Sequence, residues 1–274
     1  MANIGSLAYV GIFTRDRKRA REFYTRKIGL AVREAIPGMG FLALGATKGG
    51  KDASVNLWQP DPATWGEDYE PSAKQIGTVT GVGFVTSSVD KTVDMLRRRK
   101  VKVEVDEDDE ERLARFEDLD GNVLFAFEPS RPKVRRAGLS SLGFVTIVSR
   151  DRARTDSFYT KALGLRKTKA AGEEFDQYRV SPGGTALMPF TPNREMYDDP
   201  KDFDADMAHA GENTWIMFTT RDLVALQDQL MARGVRFKRK AERADWGGME
   251  AEFLDPDDNV YWLMQPRSAT RGKI

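Results

Sequence analysis

The sequence predicts an α+β protein of four βαβββ modules with mixed sheets, on three observations: a long repeat, matching ends, and a recurring order of apolar periods. LAYVGIFTRDR at 7–17 runs on to Phe23-Tyr24-Thr25 and Gly29-Leu30, and LGFVTIVSRDR at 142–152 runs on to Phe158-Tyr159-Thr160 and Gly164-Leu165. About half of the paired positions are identical at a constant offset of 135 residues, so a duplicated domain is the economical explanation. FEDLDGNV at 116–123 and FLDPDDNV at 253–260 close the two halves, followed by Pro129 and Pro266. A strand-helix pair recurs between opening and closing, near 81–101 and 215–235.

Each element has a local reason. Residues 7–14 are β-rich and bounded by Gly5-Ser6 and Asp16, which predicts a strand. Residues 17–27 carry Ala20, Phe23 and Tyr24 at helical spacing and stop at Gly29, a C-terminal cap. Strands are expected at 31–35, 40–44 and 53–59, with a glycine- and lysine-rich turn over 45–52. The second module repeats the order: a strand at 81–86, a helix at 89–99, and strands near 101–105, 112–117 and 122–128. Helices alternating with strands in this way pack on one face of mixed sheets.

Two domains follow, at 1–130 (modules 5–60 and 79–130) and 139–267 (modules 139–192 and 212–267), joined by a basic linker at 131–138. Two connections are long for compact domains and for that reason functional or mobile candidates. Residues 59–78 carry Trp65 and Tyr69, and residues 190–213 carry Met196, Tyr197 and Phe203. Their aromatics either cover a cavity or pack on the domain surface.

Composition narrows the function classes. A formal net charge of +1 over 274 residues gives no global pull toward nucleic acid or anionic membranes. Cysteine is absent, which removes disulfides, thiol nucleophiles and thiolate metal sites. No apolar run of membrane-spanning length and no signal peptide is seen, so a cytoplasmic protein is expected. With one histidine, His209, no Ser-His-Asp or Cys-His arrangement is available.

The paired motifs, strand-Arg-Asp followed by Phe-Tyr and Gly-Leu, then Phe-x-Asp-x-Asp and Asn, resemble the vicinal oxygen chelate superfamily. It includes glyoxalase I, extradiol dioxygenases, fosfomycin-resistance enzymes and bleomycin-binding proteins. The resemblance runs from Leu7 to Pro266 and implies two glyoxalase-like domains with curved sheets enclosing cavities. It also implies a divalent metal held at four positions per site. Carried onto this chain, those positions are Tyr9, Asn56, Gly81 and Phe125 in the first half, and Phe144, Leu187, Trp215 and Trp262 in the second. None is His, Glu or Asp, the side chains such metals need. No metal, no cofactor and no catalytic residue is therefore expected.

What remains is a lining. Phe144, Leu187, Trp215 and Trp262, with Met217 by strand alternation, form an adaptable apolar cage in the second half. Tyr9, Asn56 and Phe125, with Phe13, give a smaller and more polar one in the first. The competing reading is that these side chains fill the barrels as core. The expected function is metal-independent binding of a small aromatic or hydrophobic ligand, by a monomer or homodimer, without nucleic-acid or membrane partners. The alternative is a glyoxalase- or dioxygenase-like enzyme, with metal on non-standard ligands or with Tyr9 as a metal-free acid/base.

Three other signals read as structure. The near phosphate-binding loop at 45–52 has Asp52 where Ser or Thr would meet magnesium, and a strand follows it; a hairpin turn is expected. Asp118-x-Asp120-x-Asn122 and Asp255-x-Asp257-x-Asn259 suit turns better than calcium loops. Glu250 and Glu252 alternate onto one strand face, expected to be solvated, with acid-base work as the minority reading.

Overall fold

The computed structural model describes residues 3–78, 81–107, 112–129, 136–169 and 176–267. Most of the linker, 131–135, and most of the acidic stretch 106–111 lie outside the described residues. The first module runs β1 (Ile4–Phe13), α1 (Arg17–Glu22), β2 (Ala31–Ile36), β3 (Phe41–Gly45) and β4 (Ser54–Trp58). After the short α2 (Tyr69–Ala73), the second runs β5 (Val82–Thr86), α3 (Val89–Arg98), β6 (Val103–Glu107), β7 (Arg112–Glu117) and β8 (Val123–Phe127). The third holds β9 (Leu139–Val148), α4 (Arg152–Ser157), β10 (Arg166–Lys169), β11 (Asp176–Arg179) and β12 (Ala186–Phe190). Beyond α5 (Pro200–Ala208), the fourth holds β13 (Asn213–Thr220), α6 (Leu223–Ala232), β14 (Arg236–Arg243), β15 (Met249–Leu254) and β16 (Val260–Gln265). Among the described residues no helix is long and apolar enough to cross a membrane.

The expected single helix at 17–27 is in fact two. Asp16 caps α1, its side chain accepting from the Arg19 backbone. The chain then widens into a π-helical turn, Phe23–Ile28, stopped by Gly29 at φ 95°. The third module repeats this with Asp151 as cap and a π-turn at Phe158–Ala162. In the first turn two successive aromatics are buried, Phe23 at 6% and Tyr24 at 0% exposed; in the second Tyr159 is buried and Phe158 half-buried.

That turn explains why the opening and closing motifs occur together. The Tyr24 hydroxyl donates to Asp118 Oδ2 at 2.9 Å. Asp118 also accepts the backbone N–H groups of Asp120 and Asn122 and the Asn122 amide. Asn122 in turn donates to the Phe13 carbonyl at the end of β1. In the second half Asp255 takes the same bonds from Asp257, Asn259 and Tyr159, and Asn259 donates to the Val148 carbonyl. Burial pushes the Asp255 carboxyl up, and the bonds from Asn259 and the backbone only partly counter it. Module one is thereby fastened to module two, and module three to module four.

The molecule divides into two compact units, residues 1–8, 148–166 and 191–274, and residues 9–147 and 167–190. In the first unit the strand order is β14-β15-β16-β13, followed by β1 through residues 4–8. There the Ser6 and Thr219 hydroxyls bond at 2.7 Å. In the second unit residues 9–13 of β1 continue as β1-β4-β3-β2. That unit also holds the second sheet, ordered β10-β11-β12-β9-β5-β8-β7-β6. Strands of modules two and three share this sheet. The reason is local. β9 starts beside the end of β5, with Thr86 opposite Leu139, and the Thr86 hydroxyl and Ser87 hold the linker's last residues at Gly138 and Arg136.

Residues 45–52 form the expected hairpin. Asp52 is buried, pairs with Arg33 at 2.7 Å and accepts the Leu142 N–H. A side chain at Gly45 would displace the Arg33 guanidinium, whose Nε lies 2.1 Å from where its Cβ would stand.

Because Asn122 is fully buried and bonds both Asp118 and the Phe13 carbonyl, Asn122→Ala is expected to lower unfolding stability by about 2 kcal/mol or more. The exposed neighbour change Leu119→Ala should cost less than about 0.5 kcal/mol. Urea unfolding of both variants checks this, and equal midpoints would contradict the fastening role of Asn122.

Candidate functional site

On the first module's sheet, β1 runs parallel to β4 with Tyr9, Gly11 and Phe13 opposite Ser54, Asn56 and Trp58. Alternation sends Val10, Ile12, Val55 and Leu57 to the other side, where all are at most 2% exposed. Ring contacts define the face that carries Tyr9. Tyr9 meets Phe41 edge-on at 5.4 Å, Phe41 meets Trp58 at 6.1 Å, Trp58 meets Trp65 at 5.9 Å, and Trp65 meets Phe13 at 6.0 Å. Five rings therefore form an unbroken chain. Trp65 comes from the connection over 59–78.

Asn56 sits within this set, at the same pleat phase as Trp58. It is 0% exposed, and among the described residues nothing bonds to either its Oδ1 or its Nδ2. The Trp58 Nε1 is also buried without a partner. An unpaired buried amide costs on the order of 1–3 kcal/mol, and each such case asks for an explanation.

Tyr9 donates to Glu34 Oε2 at 3.3 Å. Burial, with the Glu34 charge and hydrogen bond added, pushes its phenol up to about 12. At neutral pH Tyr9 is then a committed donor rather than an acid/base catalyst.

The fourth module presents a different face. Arg239, Glu252, Trp262 and Met217 lie in one row across β14, β15, β16 and β13. Trp215 has φ 51°, a backbone value a bulky residue rarely takes, at an irregularity in β13 between Asn213 and Met217. The kink stacks its ring on Trp262 with centroids 5.8 Å apart. The Arg239 guanidinium lies over Trp262 at 4.9 Å and pairs with Glu250 at 2.8 Å and Glu252 at 3.1 Å. Burial works against the Arg239 charge, but Glu250 and Glu252 more than offset it, and its pKa rises. The expected solvated carboxylate face is therefore corrected: Glu252 is 8% exposed, and both carboxylates are clamped by one guanidinium. The π surface of Trp262 is correspondingly occupied.

The remaining predicted residues are brought together in the second sheet. Gly83 stands between Phe125 on one side and Phe144 on the other. A side chain at Gly83 would strike the Phe144 ring at 2.2 Å, and Phe127 packs on Phe144 at 5.1 Å. Phe125 is thus separated from Tyr9 and Asn56, with which it was grouped, because β8 pairs with β5 and not with β1. Phe144 belongs to β9 of the second sheet, whereas Trp215 and Trp262 belong to β13 and β16. Leu187 is 0% exposed and faces Tyr178, itself 1% exposed, across β11 and β12.

In the connection over 190–213, Tyr197 packs on Phe203 at 5.8 Å and bonds Asp206, which is surface packing. His209 follows α5 and pairs with Glu212 at 3.1 Å. Among the described residues no three His, Asp or Glu side chains gather as a metal site.

The family model of the Glyoxalase/Bleomycin resistance protein/Dioxygenase superfamily matches residues 6–124 and 141–263. The chain belongs to this superfamily. Glyoxalase I from Zea mays superposes with a TM-score of 0.66 at 16% identity, covering 97% of this chain and 92% of that one. A superfamily member from Sphaerobacter thermophilus is 25% identical over 46% of this chain and 98% of its own, with a TM-score of 0.40. TnmS3, an antibiotic binding protein from Streptomyces sp. CB03234, is 26% identical over 46% of this chain and 98% of its own, with a TM-score of 0.38. No curated protein matches. At the superfamily positions read as metal ligands, the donors present here are the phenol of Tyr9 and the amide of Asn56, a set that does not fit a divalent ion.

Sequence reasoning missed Phe41, Trp58 and Glu34. Alternation along β3 and β4 could have found the first two, since Phe41 and Ala43, like Asn56 and Trp58, are two apart. No sequence signal marks Arg239.

Tyr24, Tyr159 and Tyr261 are pushed well above the ordinary phenol value, by burial first and by neighbouring groups such as Asp118 and Asp255. With Tyr9 also raised, stability is intact below about pH 10 and falls as pH climbs toward 12, since the unfolded chain ionises first. A phenolate absorbance titration of the seven tyrosines should show most ionising only with unfolding, and Tyr9→Phe should lessen the alkaline loss. Ionisation of all seven near pH 10 in the native protein would contradict the burial.

Proposed function

We propose that this superfamily member binds a small, flat, largely aromatic ligand on the open face of its first module, without a divalent metal. The observation that carries this reading is the ring chain Tyr9-Phe41-Trp58-Trp65-Phe13 set around Asn56. Tyr9, Phe41, Trp58 and Trp65 are half-buried and offer stacking surface to a planar molecule, while Phe13 is buried behind Trp65; such aromatic pairs contribute roughly 0.5–1.5 kcal/mol each beyond area burial. Small-molecule sites are typically apolar and aromatic with few polar groups, which is this composition.

The fourth module's face, with Trp215, Met217 and Trp262, is the less suited of the two. Trp262 already stacks on Trp215 and carries the Arg239 guanidinium. The Phe125, Phe144 and Leu187 region serves as packing in this reading. The enzymatic alternative has one observation in its favour, the carboxylates of Glu250 and Glu252 on one face beside Trp262. Both are committed to Arg239, so the binding reading is preferred.

Intrinsic tryptophan fluorescence titrated with a panel of planar heteroaromatics tests the proposal. Trp58→Ala should weaken binding at least about tenfold, a loss of roughly 1.4 kcal/mol, while Phe203→Ala should leave it unchanged. Equal affinity in both variants would sink the assignment to this face. Elemental analysis of tag-free protein should find no stoichiometric zinc, nickel, manganese or iron; one ion per chain would overturn the metal-independent part.

A further inference from the structure

We infer that the ligand's recognised edge is a neutral cis-amide, as in an aromatic lactam, presenting a donor and an acceptor side by side to Asn56. This rests on the binding reading above and deepens it. A primary carboxamide with both ends unpaired is a donor and an acceptor fixed about one amide width apart. A cis-amide is its complement. The ligand N–H donates to Asn56 Oδ1, and the ligand carbonyl accepts from Asn56 Nδ2. The carbonyl's second lone pair matches a further donor, and the unpartnered Trp58 Nε1 stands two residues along the same strand face. A ligand bearing only an acceptor, or only a donor, would leave one end of a fully buried amide unpaired, which is where discrimination of this kind arises.

Charge argues the same way. The titratable groups placed on this face are Tyr9 and Glu34, joined by their hydrogen bond. Glu34 lies opposite Ala43, and Ala43 lies opposite Asn56. A carboxylate two strands away opposes an anionic ligand. Arg33, next to Glu34 in the chain, is spent on Asp52 and on the carbonyls of Thr47 and Asp52. A neutral polar edge set in an aromatic body is what these groups select.

The experiment titrates the wild-type protein, by tryptophan quenching, with carbostyril, N-methylcarbostyril and naphthalene. The first is an aromatic lactam, the second has its donor blocked, and the third is flat and apolar. Carbostyril should bind about tenfold more tightly than N-methylcarbostyril, the difference of a hydrogen-bonded pair against an unpaired buried group. In Asn56→Leu the two should come within about twofold of each other. The same variant should melt at least about 2 °C higher, because it removes an unpaired buried amide while keeping the volume. Equal or weaker binding of carbostyril by the wild type overturns the inference while leaving the aromatic site standing, provided naphthalene binds. Quenching by none of the three overturns the binding reading itself. A lower melting temperature for Asn56→Leu would mean the amide is bonded within the fold, and would also overturn the inference.

Discussion

Two carboxylates, one half-buried and one buried, hold the repeated frame in place. Asp118 and Asp255 each gather two backbone N–H groups, an asparagine amide and a tyrosine hydroxyl in one turn. Because the asparagine also grips the carbonyl ending β1 or β9, the turn of one module fixes where the first strand of its neighbour stops. Charge-assisted bonds of this kind are roughly twice as strong as neutral ones. A network with every member satisfied also specifies one arrangement. Everything on the open faces depends on it, since the end of β1 sets which of Tyr9, Val10, Gly11, Ile12 and Phe13 look toward β4's Asn56 and Trp58.

The two tryptophan-rich faces show how one fold can spend similar residues differently. On the fourth module the aromatic surface is closed by protein: Arg239 lies on Trp262, and Glu250 and Glu252 neutralise the guanidinium. On the first module the rings meet one another edge-on and enclose an amide that nothing in the described protein satisfies. Leucine at position 56 would pack there without that penalty. Retaining asparagine is sensible where a ligand completes its bonding, and stability is commonly forgone at such places.

Much of the frame was legible from residues alone. The gapless repeat gave the module count, Asp16 and Gly29 marked the helix ends, and the Asp-x-Asp-x-Asn segments read correctly as turns. The π-turns were not legible, because a helical period does not reveal one inserted residue. Nor was the purpose of Asp52, whose partners Arg33 and Leu142 are 19 and 90 residues away in the chain.

Of the site, sequence determined the chemistry of individual positions: Tyr9, Asn56, Phe125, Phe144, Trp215 and Trp262 occupy positions to which the superfamily resemblance assigns metal donors, and none supplies a carboxylate or imidazole. Alternation along a strand fixes which residues share a face, and that much is local. Which strand lies alongside is decided by hydrogen bonds between distant segments. Only the tertiary structure therefore placed Phe125 with Phe144, brought Glu250 and Glu252 under Arg239, and left Asn56 buried with its amide unpaired among the described residues.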